Sequence, residues 1–462
     1  MEAAMPNQAT PNRLYFGDCL DVMAEYIPDE SVNLIYLDPP FNSKRIYNAF
    51  IGGAQWVAFD DTWRWYEAID DFHSVASDVT LAPTMEGLRR VLGEGAELAY
   101  LSYMANRLRE CRRILMPTGS IYLHCDPTMS HYLKIVMDGV FGKNNYKNEV
   151  IWHYRKWSTG KYTFQRNHDV LFFYSRSGSR ERAFNQQYMP RTASTLKRFG
   201  TKRIISGYDE AGQRLPSQVS EEDSEGVRLD DVWDIARVPP IKQLYPTEKP
   251  LALLERIIKA SSDPDDIVFD PFCGCGTTIH AAQNLGRRWI GIDVCVQACK
   301  VIQKRIEGHF DSLWDDIEFV GMPKTLDDAK SLAAYDPFKF ERWAASLAPG
   351  MEANKKQRGD KGIDGRGRLP IRKGKFVDVV SQVKAGNSNP SHVQAFNEAR
   401  RQAGAELGVF TCFEDKVTSG MRNAAVNTGK FLDRWPVIQL YTIEDYFDGR
   451  LPDLPLSDFP RP

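Results

Sequence analysis

The chain has 462 residues, of which 42% are hydrophobic, with 59 Lys and Arg against 61 Asp and Glu. That length and composition suit two or three globular domains with sizeable cores. The balanced charge gives no chain-wide attraction to polyanions, so nucleic-acid binding would need local basic surfaces. Residues Met1–Arg13 lack a basic start followed by an apolar run, and no stretch approaches membrane-spanning length, so a cytoplasmic protein with no membrane partner is expected. Cys273 and Cys275 are two apart and Cys295 and Cys299 four apart, which is no usual zinc spacing, so the cysteines read as free thiols.

In chain order, Val32–Leu37 reads as a buried strand running into Asp38-Pro39-Pro40-Phe41. Leu98, Leu101, Met104, Ala105 and Leu108 recur at helical spacing and predict a helix over 97–114. A strand over 120–124, a helix over 131–140 and a strand over 169–175 follow. From Arg176 to about Pro240 the chain is polar and lacks sustained periodicity. Beyond Lys249-Pro250, Leu251, Leu254, Ile257 and Ile258 mark a helix. A strand (266–270), a glycine turn, a helix (277–285) and a strand (288–293) complete the unit. Alternating strands and helices predict a mainly parallel, doubly wound, Rossmann-like α/β sheet. Residues 309–336 read as a linker or packing arm, and a smaller α/β unit begins near Pro337, with strands over 375–384, 407–411 and 436–441.

Two segments carry chemistry. Asp270-Pro-Phe272-Cys-Gly274-Cys-Gly276-Thr277-Thr278 joins a strand to a helix, and its glycines permit a tight turn with close ligand approach. The free N–H groups of the following helix suit a carboxylate. Asp293 ends the next strand, where a carboxylate can accept from ribose hydroxyls. The pattern is not GxGxxG, which argues against a dinucleotide. Asp38-Pro39-Pro40-Phe41 places a carboxylate and a carbonyl at fixed spacing, two acceptors for the hydrogens of a poorly nucleophilic exocyclic amine. Phe41 offers a ring on which an extruded base can stack.

Together these motifs resemble the beta group of DNA amino-methyltransferases, in which the catalytic half precedes the cofactor half. The resemblance covers about residues 13–308. It implies S-adenosylmethionine as cofactor, Asp38, Pro39, Pro40 and Phe41 as the catalytic tetrapeptide, and Asp18 and Cys19 beside the cofactor adenine. It further implies that Thr247 and Lys249, in Tyr245-Pro-Thr-Glu-Lys-Pro250, line the methionine end, and that His168-Asp169 and the following strand close the catalytic half. His124-Cys125-Asp126 reads as a structural strand end rather than a metal site. Asp rather than Ser at position 38 favours N6 of adenine over N4 of cytosine.

Duplex DNA is the implied partner, with recognition expected over 176–240. Arg176, Arg180, Arg182, Arg191, Lys197, Arg198, Lys202, Arg203 and Arg214 lie there, preceded by Arg155, Lys156 and Lys161 interleaved with Trp152, Tyr154 and Trp157. In the smaller unit, Gly359–Gly365 and the alternating Val379–Lys384 place Gln382 and Lys384 on one strand face near Asp364. This resembles the Mrr-type PD-(D/E)xK restriction endonucleases over about 337–450, with Glu341 as the helix glutamate. It implies a nuclease holding Mg2+ through Asp364, although Gln382 supplies no charge and a degenerate DNA-binding or coupling module stays open. An inactive DNA-binding protein and an RNA methyltransferase also stay open, as does assembly as a homodimer or with a restriction-system partner.

Overall fold

The computed structural model describes residues 12–44, 46–51, 54–156, 162–205, 207–243, 247–310, 313–354, 362–372 and 375–455. Trp157, Lys161, Tyr245, Pro246 and residues 359–361, singled out above, lie outside them.

Nine strands form the large sheet: β1 (Arg13–Phe16), β2 (Val32–Leu37), β3 (Leu115–Cys125), β4 (Tyr146–His153), β5 (His168–Ser175), β6 (Val232–Asp234), β7 (Ile267–Asp270), β8 (Arg288–Asp293) and β9 (Glu318–Val320). Their spatial order is β6-β4-β5-β3-β2-β7-β8-β1-β9. Every pairing is parallel except those of β5, which runs antiparallel to both β3 and β4. The sheet is therefore mixed. A parallel pair needs a long crossover, whereas β5 returns directly beside β4.

Apolar clusters cover both faces. One centres on Ile35, Leu123, Phe172 and the helix Ala96–Ile114, the other on Leu34, Tyr122, Phe173 and the helix Leu251–Ser261. Strands buried on both faces explain the continuous apolar run of Val32–Leu37. From β2 the chain continues to β3 on one side, and from β7 to β8 on the other. The boundary between β2 and β7 is thus a topological switch point, where ligand crevices form beyond the carboxyl ends of strands.

The expected linker is partly sheet. β9 pairs in parallel with β1, Arg13 opposite Glu318, and the helix Leu326–Tyr335 leads directly into Pro337–Ala345. Backbone pairing at the sheet edge organises Glu318–Val320 in spite of its neighbouring acidic residues.

The smaller sheet orders β10 (Met351–Ala353), β11 (Gly365–Arg372), β12 (Lys375–Lys384), β13 (Leu407–Cys412) and β14 (Ile438–Thr442) as they occur in the chain. Its core, around Phe340, Trp343, Val379 and Tyr441, also takes in Val296 at the start of the helix Val296–Glu307 and packs against Phe16. Ion pairs join Lys339 to Glu25 at 2.9 Å and Arg342 to Asp21 at 3.5 Å. Among the described residues no helix is long and apolar enough to cross a membrane.

Candidate active site

β2 and β7 pair with Leu34 opposite Val268 and Ile35 opposite Phe269, so both motifs leave the sheet side by side. Asp38, Pro39, Pro40 and Phe41 line one wall of a cavity of about 170 Å³. Cys19, Thr247, Lys249, Asp270, Phe272, Gly274, Thr277, Thr278 and Asp293 are among the other lining residues. Asp18 and Gly276 do not line the cavity, though their chain neighbours Cys19, Cys275 and Thr277 do. The cavity adjoins a wider cleft of about 1250 Å³, whose wall includes Phe41, Lys44, Lys156, Arg166, Asp169, Arg237 and Lys249.

The glycine turn is built for close approach. Gly274 and Gly276 have φ of 50° and 75°, in the left-handed region, and a Cβ on Gly276 would lie 2.8 Å from Cγ1 of Ile302. The helix Thr277–Asn284 begins there without a side-chain cap, leaving its N-terminal N–H groups available to a carboxylate. Asp293 accepts from the Gly274 N–H at 2.8 Å and the Cys295 N–H at 2.7 Å, which ties the turn to the end of β8. Burial pushes its carboxyl up to about 7. Burial likewise pushes Asp270 up to about 7, although Thr278 and the Phe272 N–H bond to it.

Asp18 caps the helix Cys19–Tyr26 through the Leu20 N–H at 2.8 Å. The buried Arg107 donates to both its oxygens, at 2.7 and 2.8 Å. Burial opposes the Asp18 charge, but Arg107 outweighs it and holds the carboxyl below its usual range. Asp18 thereby fixes the helix that presents Cys19 to the cavity.

On the catalytic side, the Lys249 ammonium is hydrogen-bonded to Oδ2 of Asp38 and donates to the Thr247 carbonyl at 3.1 Å. It also sits 5.4 Å from the centroid of the Phe41 ring. Oδ1 of Asp38 is buried and accepts no hydrogen bond; it lies 3.7 Å from Nδ1 of His124. Thr247 has φ of 61°, strained backbone for a β-branched residue.

Three devices escaped sequence reasoning. Asp61, fully buried, accepts from the Phe41, Asn42 and Ser43 N–H groups at 2.8–3.1 Å and from the Trp63 indole at 3.0 Å, and so fixes the loop after the tetrapeptide. The buried Arg305 pairs with Glu248 at 2.5 Å and donates to Thr277 Oγ1 at 3.2 Å, pinning the 247–250 segment to the glycine turn. His124 bridges Tyr36, at 2.8 Å, and Asp169, at 3.3 Å, beside Asp38. Only His124 and Asp169 were singled out in the sequence, as a strand end and as the close of the catalytic half; their pairing, like the other two devices, comes from folding alone.

The recognition region holds two small ribbons, Lys202–Ile205 with Gln218–Asp223 and Tyr188–Met189 with Val227–Arg228, and a helix, Ala193–Phe199. Several expected phosphate contacts are engaged internally. Lys202 pairs with Asp223 and Arg203 with Glu222, while Arg191 donates to the carbonyls of Gly200 and Lys202. Trp152 and Tyr154 are largely buried in the wall of the wide cleft: the Trp152 indole donates to the Ile235 carbonyl and the Tyr154 hydroxyl to Asp169.

In the smaller unit, Asp364 does meet β12, but its Oδ2 accepts from the Val383 N–H at 2.7 Å. Gln382 is buried beside it, Lys384 ends the strand half-exposed, and Glu341 lies on Pro337–Ala345. Among the described residues no group of three or more His, Cys, Asp or Glu could hold a metal ion. Oδ2 of Asp364 is engaged by the backbone and Gln382 adds no charge, so the described residues give the magnesium expectation no support.

A doubly wound sheet whose switch-point crevice joins a glycine turn to an acidic Pro-Pro-aromatic loop defines the class of amino-group methylases. The chain belongs to the DNA methylase family, the N6/N4 methylases, which it matches over residues 32–304. Residues 338–448 match the NACHT-associated inactive restriction endonuclease 1 family, which replaces the expectation of an Mrr-type cutting domain. The type II methyltransferase M.BamHI of Bacillus amyloliquefaciens is 28% identical over 307 residues, 64% of this chain and 57% of that protein. The chain thus spans little more than half the length of that relative. The DNA adenine methyltransferase YhdJ of Escherichia coli K12 is 26% identical over 331 residues, 70% of this chain and 92% of that protein. The solved PvuII DNA methyltransferase, cytosine-N4-specific, is 14% identical over 68% of this chain and 95% of its own, with a TM-score of 0.38.

Proposed function

We propose that the chain methylates N6 of adenine in duplex DNA, using S-adenosylmethionine, within a restriction-modification or defence setting. The observation that carries this reading is the single cavity shared by the Asp38 loop and the glycine turn. When bound, S-adenosylmethionine supplies an electrophilic methyl on a sulfonium whose leaving group is neutral, so no metal is needed. Gly274, Gly276 and the uncapped helix start suit its carboxylate, Thr247 and Lys249 its methionine end, and Asp293 its ribose. Asp38 and the Pro39 carbonyl accept the hydrogens of the target amine and let the nitrogen become tetrahedral. Phe41 stacks the extruded base, and the cations of the wide cleft meet phosphates. Asp at position 38, rather than Ser, favours adenine. The smaller unit serves as a DNA-binding or coupling module that does not cut.

The test is methyl transfer from labelled S-adenosylmethionine to duplex DNA, with mass spectrometry of the nucleosides, in parallel with RNA. N6-methyladenine in DNA is expected. N4-methylcytosine would move the reading to cytosine, methylated RNA would move the substrate, and no product together with no cofactor binding refutes it. DNA incubated with the protein and magnesium is expected to stay intact.

A further inference from the structure

We infer that His124 acts through Asp38, taking up the proton that this carboxylate receives from the target amine. The inference rests on the methyl-transfer reading above and adds a residue that the sequence treats as structural.

Three strand ends converge beside the catalytic loop. Asp38 follows β2, His124 lies near the end of β3, and Asp169 near the start of the antiparallel β5. His124 is fully buried. Its Nε2 is 3.3 Å from Oδ2 of Asp169, and its Nδ1 is 2.8 Å from the Tyr36 hydroxyl and 3.7 Å from Oδ1 of Asp38. The rings of Phe41 and Trp152 face it at 5.5 and 5.6 Å. Tyr154 donates to the other oxygen of Asp169 at 2.9 Å, and Lys249 holds the other oxygen of Asp38.

These contacts set the tautomer. An ionised Asp169 only accepts, so Nε2 carries the hydrogen and the Nδ1 lone pair accepts from the Tyr36 hydroxyl, with Oδ1 of Asp38 3.7 Å away. A network that served packing alone would close on itself. This one ends in the unsatisfied Oδ1 of Asp38, at the carboxylate that meets the substrate.

The chemistry requires such an acceptor. As the amine nitrogen takes the methyl group, the carbon–sulfur bond breaks and its electron pair stays on sulfur. The nitrogen is left cationic and must lose one N–H proton. That proton passes to Oδ1 of Asp38 and then to Nδ1 of His124, while the Tyr36 hydroxyl turns from donor to acceptor. The imidazolium sits between two carboxylates, and Asp169, which lines the wide cleft, gives the proton a path to water.

Two measurements test this. In 15N-histidine spectra without cofactor, the signal missing from His124→Gln is assigned to His124. It is expected as the Nε2–H tautomer at high pH, with a titration midpoint that falls in Asp169→Asn. A neutral Nδ1–H tautomer overturns the inference. In single-turnover transfer, the wild-type rate should rise with pH along a limb set by that midpoint. His124→Gln should lose the limb and about 10²-fold in rate, with cofactor affinity retained. A slower variant that keeps the limb marks a purely structural role and overturns the inference. If His124→Gln does not fold, Asp169→Asn must move the limb and the midpoint together, and a fixed limb overturns it. A wild-type protein that transfers no methyl group sinks the parent reading and this inference with it, whereas transfer with an unchanged limb in His124→Gln sinks the inference alone.

Discussion

Replacing Asp61 with Asn should slow methyl transfer more than it weakens cofactor binding. Oδ1 accepts from the Asn42 N–H and the Trp63 indole, and Oδ2 from the Phe41 and Ser43 N–H groups. An isosteric amide keeps one acceptor oxygen and turns an NH2 towards the other two donors. Each buried donor left unsatisfied costs about 1–3 kcal/mol, so the substitution costs about 2–6 kcal/mol. Three of the four donors are successive peptide groups directly after Pro40, so the strain falls on the loop that carries Phe41. Displacing a substrate-positioning group by about 1 Å typically costs about 10²-fold in rate. Single-turnover transfer, calorimetry of S-adenosylmethionine binding and thermal unfolding separate these effects. A wild-type transfer rate in Asp61→Asn would refute the reasoning.

Gly276→Ala combines left-handed backbone strain with a 2.8 Å approach to Ile302, and should cost about 2–4 kcal/mol and abolish tight cofactor binding; unchanged calorimetry would count against the proposed role of the turn. Asp270 is pushed up to about 7 by burial, so the folded state holds its proton more tightly than the unfolded chain. Stability from this group is present at low pH and lost as pH rises from about 4 to about 7. The melting temperature of wild type minus that of Asp270→Asn should therefore fall between about pH 4 and pH 7, and a constant difference contradicts the assignment. At the contact between the two units, a Lys339/Glu25 double-mutant cycle should give less than about 1 kcal/mol, because the pair is exposed. Trp343→Ala, which empties a fully buried position in the smaller core, should cost about 3–5 kcal/mol by denaturant unfolding.

The sequence shows the buried strands and the long amphipathic helices most clearly, because continuous burial writes itself as an apolar run. Val32–Leu37 and Arg288–Asp293 are strands with the expected bounds. Elements with one thin apolar stripe were hidden. β4 carries Lys147, Asn148 and Glu149, and the helix Pro390–Gln402 buries only Val393, Phe396 and Ala399. That helix did carry a local signature, the Asn389 cap followed by Pro390. The edge strand β9 left none, because its order comes from a partner about 305 residues away, Arg13 opposite Glu318.

The two chemical motifs were legible because each is a contiguous string whose backbone demands particular residues: glycine where φ is positive, and Asp-Pro-Pro where two acceptors must be rigid. Their meeting was not, since it depends on β2 and β7 being neighbours across more than 200 residues of chain. Asp61, Arg305 with Glu248, and His124 with Asp169 are polar groups scattered through segments with other local purposes. Local physics thus fixed what each segment could do. Only the packing of strand ends decided which carboxylate would stay ionised, which acceptor would stay open and which charges would be neutralised, because burial and pairing belong to neighbours in space.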